Sequence, residues 1–233
     1  MTRRFFAALS GFLAALCVTL LLLSVLLEGC GTGAALMTQM FLRHAPAEET
    51  GLPEEAYPDM AAMITGFLSG DVDTFQYTLM GADGTAHPLF HDYEQQHMAD
   101  CRALFVLERQ VMLLSLCGLV ALTAALLLLR RGRAAARGFA AGAGLVLLAV
   151  AALGVWGCVD FTGLFLLFHR LSFDNGLWML NPATDLLIRL MPQSFFVHYA
   201  AVIGVLWGAG LLLSLGIALW LGWRKSVHQG ERP

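Results

Sequence analysis

The chain has 233 residues, of which 58% are hydrophobic and only 13% are charged, and its formal net charge is −3. Since a soluble domain carries about 25% charged residues, this composition excludes an ordinary water-soluble protein and indicates that lipid surrounds much of the chain. The sequence has no basic stripe and no phosphate-binding glycine loop, which argues against nucleic-acid and nucleotide binding.

Four apolar runs are each long enough to cross a bilayer, which takes about 20 helical residues. None of them contains Lys, Arg, Asp or Glu. Each run is predicted to be helical, because a segment in hydrocarbon must satisfy its own backbone hydrogen bonds. The first run is longer than the apolar core of a signal peptide, so we expect it to remain as an anchor. The predicted spans are residues 5–27, 111–129, 139–159 and 199–221.

The predicted fold class is therefore an all-α membrane protein with four transmembrane helices, a small extracytoplasmic cap and interfacial helices. The cap is expected to be mostly helical, with room for a short β element. In chain order the segments are transmembrane helix 1 with the N-terminus (1–27), the cap region (28–110), helix 2 (111–129), a loop (130–138), helix 3 (139–159), an interfacial segment (160–198), helix 4 (199–221) and a tail (222–233).

Most of the basic residues fall on one side of the membrane in this arrangement. They include Arg3 and Arg4, the four arginines between residues 130 and 137, and Arg224 with Lys225. Because loops rich in Lys and Arg stay in the cytoplasm, we expect both termini inside and the cap and interfacial segment outside. Of the 17 acidic residues only Glu231 falls on the cytoplasmic side, so the acidic side chains are concentrated on the outer face.

Several short elements are predicted within the cap. Asp59 is placed to open a helix and Gly70 to close it, and a run of strand-forming residues precedes a Gly-Ala-Asp-Gly turn. Asp92, with Gln95 three residues later, resembles a capping box that starts a helix running into the second span. The predicted elements are a helix at 34–43, a loop at 45–53, a helix at 60–68, a strand at 74–80, a turn at 81–84 and a helix from 93 onward.

The first group of candidate site residues lies just before the second span. Glu94, His97 and Asp100 are spaced three apart, so neighbours in this series share one face of a helix. An Asp one turn from a His can accept the hydrogen of one ring nitrogen and leave the other nitrogen as a base. Charges at a solvated helix end are the alternative interpretation of the same spacing.

The second group follows the apolar stretch Phe165-Leu-Leu-Phe168. His169 precedes five polar or amphipathic residues that lie close to lipid, where polar groups are costly and tend to have a function. An interfacial His without a catalytic role is the alternative. The five residues are Ser172, Asn175, Trp178, Asn181 and Asp185.

The remaining histidines are weaker candidates. His91 lies near the first group, but an exposed loop residue is the simpler interpretation, as it is for His87 and His198. His44 and His228 belong to no motif. The zinc signature His-Glu-x-x-His is absent, so no metal site is predicted.

Together the two groups resemble a known family. The segment EQQHMADCR (94–102) is similar to its outer Glu-x-x-His-Met-x-Asp motif. The segment LFLLFHRLSFDNGLWMLNPATDLLIRLMPQSFF (164–196) is similar to its longer signature of Phe-His, Phe-x-Asn-x-x-Trp, Pro-x-x-Asp and Pro-x-x-Phe-Phe. The family is that of the four-span bacterial membrane proteins that include the lipoprotein intramolecular transacylase. Cys101-Arg102 stands where the family pattern has Val-Lys, so the positive charge is kept.

The resemblance implies an acyltransferase of the bacterial cytoplasmic membrane. Such an enzyme moves an acyl chain from the diacylglyceryl group of a lipoprotein to the α-amino group of its N-terminal Cys, and a lyso-form lipoprotein results. No cofactor is expected, because donor and acceptor belong to one molecule. The expected partners are diacylglyceryl-modified lipoproteins and membrane lipids, and the expected state is a monomer.

The resemblance also implies roles for the two groups of residues. His97, oriented by Asp100, and His169 are expected to be catalytic and to divide the base and acid roles that ester-to-amide transfer requires. The residues expected to bind substrate or stabilise the oxyanion are Glu94, Arg102, Asn175, Trp178 and Asp185.

Two other functions stay open on the sequence alone. A metal-dependent membrane hydrolase would use His91, His97, Asp100 and His169 as ligands. A non-enzymatic lipid- or peptide-binding membrane protein would use the same polar residues for binding only. The sequence also does not decide which of the two catalytic histidines is the base.

Overall fold

The structure is a computed structural model that describes residues 1–80 and 85–230. Nine α-helices and one two-stranded antiparallel sheet form in these residues, which confirms the predicted fold class. They are α1 (Thr2–Gly31), α2 (Ala34–His44), α3 (Ala47–Thr50), a 3₁₀ turn (Glu54–Ala56), α4 (Tyr57–Ser69), β1 (Thr78–Met80), β2 (Ala86–Pro88), α5 (Asp92–Leu129), α6 (Gly132–Val159), α7 (Phe161–Ser172), α8 (Leu186–Leu190) and α9 (Gln193–Gly230).

Four of these helices are long and apolar enough to cross a membrane, as the sequence predicts: α1, α5, α6 and α9. Each is longer than the apolar run it contains. Helix α5 begins at Asp92 and continues without a break through the second predicted span. Helix α6 begins at Gly132, inside the predicted loop, because the alanines and arginines that follow Gly132 are strong helix formers. The protein is therefore an integral membrane protein.

The chain forms two compact units. The first contains Met1–Leu26, Arg109–Cys158 and the chain from Ile203 on, and the second contains Leu27–Glu108 and Val159–Val202. All the predicted site residues belong to the second unit.

Close backbone contact between α1 and α6 holds the first unit together. A Cβ atom at Gly11 would overlap the carbonyl of Ala135, and one at Gly138 would overlap the carbonyl of Ala8. Small residues at such positions let two helices approach closely, which is how helices associate in lipid. Glycine is therefore required at both positions by the packing.

Large apolar side chains cover the outer faces of the long helices. Leu114 on α5, Leu148 on α6 and Leu213 on α9 are 72%, 70% and 67% exposed. Extended exposed apolar surfaces of this kind mark contact with a membrane or a partner. In this unit they are the lipid-facing sides of the spans.

The second unit packs around a core to which α2 and α4 contribute. Phe41 and Tyr57 are fully buried, and their rings meet edge to face with centroids 5.9 Å apart. The Tyr57 hydroxyl donates to the carbonyl of Ala45 and is joined by a 3.0 Å hydrogen bond to Thr50 Oγ1. These bonds satisfy the polar end of a ring that is otherwise surrounded by apolar atoms.

The helices predicted in the cap are present with small shifts. The helix predicted at 34–43 is α2. The helix predicted at 60–68 is α4, which starts earlier, at Tyr57, with Pro58 in its first turn. Proline is favoured there because the first N–H groups of a helix have no intrahelical acceptor. The helix ends as predicted at Gly70, whose φ of 98° suits only glycine well.

The loop and the strand predicted in the cap differ more from the structure. The predicted loop at 45–53 contains the single-turn helix α3, which is followed by Gly51 in the left-handed region. The predicted strand at 74–80 is shorter, since only β1 pairs with β2, in the register that sets Leu79 opposite His87. The predicted turn at 81–84 lies outside the described residues.

Candidate active site

His169 lies in the last turn of α7, and a hydrogen bond sets its tautomer. The side chain of Asp160 caps this helix by accepting from the Gly163 N–H at 2.8 Å. His169 Nδ1 lies 2.8 Å from the carbonyl oxygen of Phe165, which is one turn earlier in α7. Because a carbonyl oxygen only accepts, Nδ1 carries the hydrogen and Nε2 keeps a lone pair. Nε2 makes no hydrogen bond within the described residues, so it is free to act as a base.

Aromatic side chains surround the His169 ring, which is 7% exposed. The ring centroid lies 4.1 Å from that of Phe165, 5.1 Å from that of Trp178 and 5.6 Å from that of Phe173. Burial lowers the pKa of His169 from its ordinary value of 6.5, against the opposing effect of the Phe165 hydrogen bond. The imidazole is therefore neutral at pH 7.

His97 lies beside His169, in the part of α5 that precedes the apolar span. The two ring centroids are 6.2 Å apart, and the ring of Phe173 contacts both. His97 Nδ1 is buried and has no hydrogen-bond partner among the described residues. Desolvation and then the charge of His169 lower the pKa of His97 to about 4, although the carboxylate of Asp100 opposes the shift. The fold thus brings the two histidines of the two motifs together.

The thiol of Cys101 contacts the other nitrogen of His97. Its Sγ lies 3.7 Å from Nε2, one turn further along α5. Burial, followed by the charge of Asp100, raises the pKa of Cys101 to about 12, so the thiol is protonated at neutral pH and able to donate to Nε2. A neutral His97 that accepts this bond carries its hydrogen on Nδ1. In the sequence Cys101 stands out as a departure from the family pattern, and nothing there points to a contact with His97.

Asp100 is not hydrogen-bonded to His97, in contrast to the predicted arrangement. Its Oδ2 accepts a 2.8 Å hydrogen bond from Nδ2 of Asn175, which lies 75 residues away. Asn175 in turn accepts from the Leu177 N–H at 3.0 Å and, through its carbonyl, from Trp178 Nε1 at 2.9 Å. Asp100 therefore anchors the loop that holds Trp178 against His169, and it acts on His97 through its charge.

Glu94, predicted to bind substrate, is fully buried, and both its oxygens are used within the fold. Oε1 accepts from the Leu187 N–H and Oε2 from the His91 N–H, each at 2.8 Å. These donors stand at the N-terminal ends of α8 and α5, where backbone N–H groups lack intrahelical acceptors. Glu94, and not the predicted pair Asp92 and Gln95, is thus the side chain that caps α5. It ties α8 to α5 through both carboxylate oxygens, and its part in substrate binding stays a prediction.

Asp185, also predicted at the substrate site, is 2% exposed and holds the interfacial loop in place. Its Oδ1 accepts from the hydroxyls of Tyr93 and Thr184, both at 2.6 Å. Its Oδ2 accepts from the Asn181 N–H at 2.7 Å. Burial raises the pKa of Asp185, but the hydrogen bonds from Thr184, Tyr93 and Asn181 outweigh it, and the net shift is downward. These bonds occupy both carboxylate oxygens of Asp185 within the loop, and its part in substrate binding stays a prediction.

Arg102 contacts the cap instead of the two histidines. Its guanidinium carbon lies 5.0 Å from the centre of the Phe67 ring, within the range of a cation–π interaction. Nη1 donates to the carbonyl of Val72 at 3.2 Å, and Nη2 lies 4.0 Å from a carboxylate oxygen of Asp73. These contacts hold Arg102 against the cap, and the oxyanion role stays a prediction.

A second histidine pair, which the sequence analysis set aside, forms near the start of α9. His44 Nε2 lies 3.2 Å from His198 Nδ1, and His44 Nδ1 lies 3.2 Å from Ser194 Oγ. Burial, then the charges of His198 and Arg43, lower the pKa of His44. No sequence signal points to this pair, because its members are 154 residues apart.

The four residues of the metal hypothesis do not form a metal site. The ring of His91 stacks on that of Tyr93, with centroids 5.2 Å apart. Across the described ranges 1–80 and 85–230, no three His, Cys, Asp or Glu side chains are arranged to hold a metal ion. His91, His97, Asp100 and His169 therefore do not converge on one point.

Comparison with known proteins agrees with the resemblance seen in the motifs. The model of a family described as lipoprotein intramolecular transacylase Lit matches residues 12–196. The solved structure of the membrane integral lipoprotein intramolecular transacylase Lit from Bacillus cereus is similar at a TM-score of 0.75 and 20% identity, and the match covers 95% of this chain and 98% of that chain. No curated protein sequence matches in a direct comparison.

Two further structures of the Bacillus cereus protein, each with one histidine replaced, have the same fold. The one with arginine in place of the histidine matches at a TM-score of 0.70 and 18% identity, over 97% of this chain and 95% of that chain. The one with alanine matches at 0.71 and 19% identity, over 95% and 96%. With four-fifths of its length matched by the family model, this chain belongs to the lipoprotein intramolecular transacylase family.

Proposed function

We propose that this chain moves an acyl chain from the diacylglyceryl group of a membrane-bound lipoprotein to the α-amino group of the same lipoprotein's N-terminal Cys. The observation that carries the proposal is the pair of buried, neutral imidazoles, with ring centroids 6.2 Å apart. One of them has a fixed tautomer, and the other has an unpartnered buried nitrogen. Such a pair supplies the base and the oxyanion donor that the reaction needs, within an aromatic surround that suits a lipid.

His169 is the proposed base. The amine must be neutral before it attacks an ester, so the site needs a group that accepts its proton. Nε2 of His169 has a lone pair because Nδ1 donates to Phe165. Its lowered pKa keeps the ring unprotonated at neutral pH and ready to accept. The hydrogen bond to the helix backbone also holds the ring in one orientation.

His97 is the proposed oxyanion donor. An unsatisfied buried polar atom is costly, and Nδ1 of His97 is such an atom. A carbonyl oxygen of the substrate would satisfy it, more strongly as negative charge develops on that oxygen. With a pKa of about 4 the ring stays neutral and donates as an uncharged imidazole, a role that enzymes use where the surroundings of the ring suppress the imidazolium.

The proposed step balances without a cofactor. The amine nitrogen forms a bond to the ester carbonyl carbon, and the bond from that carbon to the glyceryl oxygen breaks. The proton that His169 Nε2 takes from the amine passes to the departing glyceryl oxygen. Because ester and amine belong to one molecule, holding them together removes much of the entropic cost of the encounter. Trp178 and Phe173, which contact His169, form apolar walls on which an acyl chain can lie.

The reaction is proposed to take place on the extracytoplasmic face. The support is the distribution of charge, since most of the basic residues and only one of the 17 acidic residues lie on the opposite side of the predicted spans. The many aromatic residues of segment 160–198 support the same placement, since aromatic rings concentrate at the membrane interface.

The test is expression of the full chain in a bacterial strain that lacks its own lipoprotein N-acylation. Mass spectrometry of a reporter lipoprotein's N-terminal peptide should show an N-acylated Cys with a lyso-glyceryl group. His97→Gln and His169→Gln should each leave the amine free. His91→Gln is the matched control and should acylate normally, whereas a site built on His91 as a metal ligand would lose activity. A free amine in the presence of correctly inserted wild-type protein would refute the proposal.

A further inference from the structure

A pocket separate from the site of His97 and His169 lies between α2 and the first turns of α9. Its volume is about 320 Å³, within the range of sites that hold small ligands. Its wall combines apolar and cationic side chains. The lining residues are Leu36, Gln39, Met40, Leu42, Arg43 and His198.

Three polar side chains of this pocket have hydrogen-bonding groups left over. The guanidinium of Arg43 and the amide of Gln39 make no hydrogen bond or ion pair with any residue the structure describes. His198 uses only Nδ1, for its bond to His44. A guanidinium without a counter-ion, beside a free amide and a free ring nitrogen, is an incomplete arrangement that an anionic group would complete.

A chain of hydrogen bonds controls what His198 presents to the pocket. When the Ser194 hydroxyl donates to His44 Nδ1, His44 donates from Nε2 to His198 Nδ1, and His198 carries its hydrogen on Nε2. The reverse direction would leave Nε2 as an acceptor. An anion in the pocket favours the first direction, because an anion accepts hydrogen bonds and only this direction makes His198 Nε2 a donor. In this first direction His44 and His198 each donate one hydrogen bond while both rings stay neutral.

We infer that this pocket binds the headgroup phosphate of an anionic phospholipid. Arg43 offers a planar fork of donors that matches a phosphate in two hydrogen bonds, and Gln39 and His198 add further donors. Leu36, Met40 and Leu42 line the same pocket with apolar surface, which suits the glycerol and the start of an acyl chain.

The position of the pocket along the chain agrees with a headgroup. His198 directly precedes the apolar run 199–221, so the pocket stands where a spanning helix meets the lipid headgroups. No acidic side chain lines the pocket in the described part of the chain. A zwitterionic lipid would bring a cation next to Arg43 with nothing to neutralise it. The occupant is therefore a lipid with net negative charge.

The experiment uses the full chain in nanodiscs of dioleoylphosphatidylcholine that contain a minor fraction of dioleoylphosphatidylglycerol. Native mass spectrometry counts the lipids that stay bound after release from the disc. The wild type should retain phosphatidylglycerol in preference to phosphatidylcholine. Arg43→Gln should weaken that retention about tenfold, the effect of losing one charge-assisted hydrogen bond. Soluble glycerol phosphate should compete only weakly, because it lacks the apolar part.

Two further variants separate the pocket from general charge effects. Arg170→Gln makes the same change of charge at an exposed arginine of the second unit that does not line the pocket, and it should bind like the wild type. Leu36→Trp fills the pocket without changing the charge, and it should lose the bound phosphatidylglycerol. This variant keeps the inference testable if Arg43→Gln fails to fold.

Equal retention by the wild type and Leu36→Trp would overturn the inference, and so would equal retention of the two lipids by the wild type. Displacement by glycerol phosphate at lipid-like concentration would overturn it too, since the site would then be one for free phosphate. None of these readouts requires acyl transfer, so a negative result for the pocket would not count against the proposed function, and the reverse also holds.

Discussion

Replacing Glu94 by Gln should weaken the attachment of α8 to α5, while His97 and His169, the proposed catalytic histidines, keep their chemistry. The Glu94 carboxylate accepts the N–H groups of Leu187 and His91, each at 2.8 Å, with no exposed surface of its own. A glutamine side chain has one acceptor oxygen and one NH₂ group. Whichever way the amide turns, its NH₂ meets a backbone N–H, and one of the two bonds becomes a contact between two donors.

The size of the effect follows from these two bonds. A hydrogen bond to a charged acceptor contributes about 1.5–3 kcal/mol, and a buried N–H left without an acceptor accounts for much of that loss. Glu94→Gln loses one bond, so we expect the second unit to be destabilised by about 1.5–3 kcal/mol. Glu94→Ala loses both, and the expected destabilisation is about 3–6 kcal/mol.

The assay is the apparent melting temperature of the full chain in nanodiscs, followed by tryptophan fluorescence. Glu55→Gln is the matched control, because Glu55 is exposed in the same unit, and it should melt like the wild type. Glu94→Gln should melt lower and Glu94→Ala lower still, with activity falling in parallel. If Glu94→Gln melted like the wild type while transfer was lost, Glu94 would act on the substrate and the reasoning from its burial would be refuted.

Three more predictions concern the site. His169→Gln should reduce transfer at least about 100-fold, the usual contribution of a general base, with a melting temperature near that of the wild type; a residual rate near normal would remove His169 from the mechanism. Because burial lowers the pKa of His169 from 6.5, protonation of this base should reduce the rate only below pH 6.5, while titration of the substrate's own α-amino group, at a pKa of about 8, should be seen in every variant; an ionisation above pH 7 that disappears in His169→Gln would contradict this. The pKa of His97 is about 4 when folded and 6.5 ordinarily, so the unfolded chain binds more protons between these values. Stability should therefore decline as pH falls from 6.5 towards 4, and His97→Gln should flatten that decline.

The spans could be predicted from the sequence because hydropathy is a local property. Every residue of an apolar run contributes to it, whatever the run packs against, so the helices α1, α5, α6 and α9 follow from composition and length. The candidate histidines could be found because each lies in a dense polar motif beside an apolar run. His97 and His169 are 72 positions apart in the sequence, and the structure brings their rings to 6.2 Å.

The roles of the surrounding polar residues could not be predicted in the same way. A carboxylate binds whichever donor the fold brings to it, and the donors here come from distant segments. Glu94 meets Leu187 across 93 residues, and Asp100 meets Asn175 across 75. In the sequence, helical spacing and the motif resemblance place both acids at the site, and these identify neighbours along one helix but not partners from another segment.

The sequence by itself determined the membrane class, the four spans, the family and the two histidines that carry the proposed chemistry. Only the tertiary structure decided that Glu94 and Asp185 are hydrogen-bonded to distant segments, that Cys101 and not Asp100 contacts the His97 ring, and that His44 meets His198. The physical reason is that burial and hydrogen bonding depend on packing between segments, whereas hydropathy and motif spacing are properties of one continuous segment. The lipid-facing half of the chain therefore follows from its sequence, and the polar interior of the second unit does not.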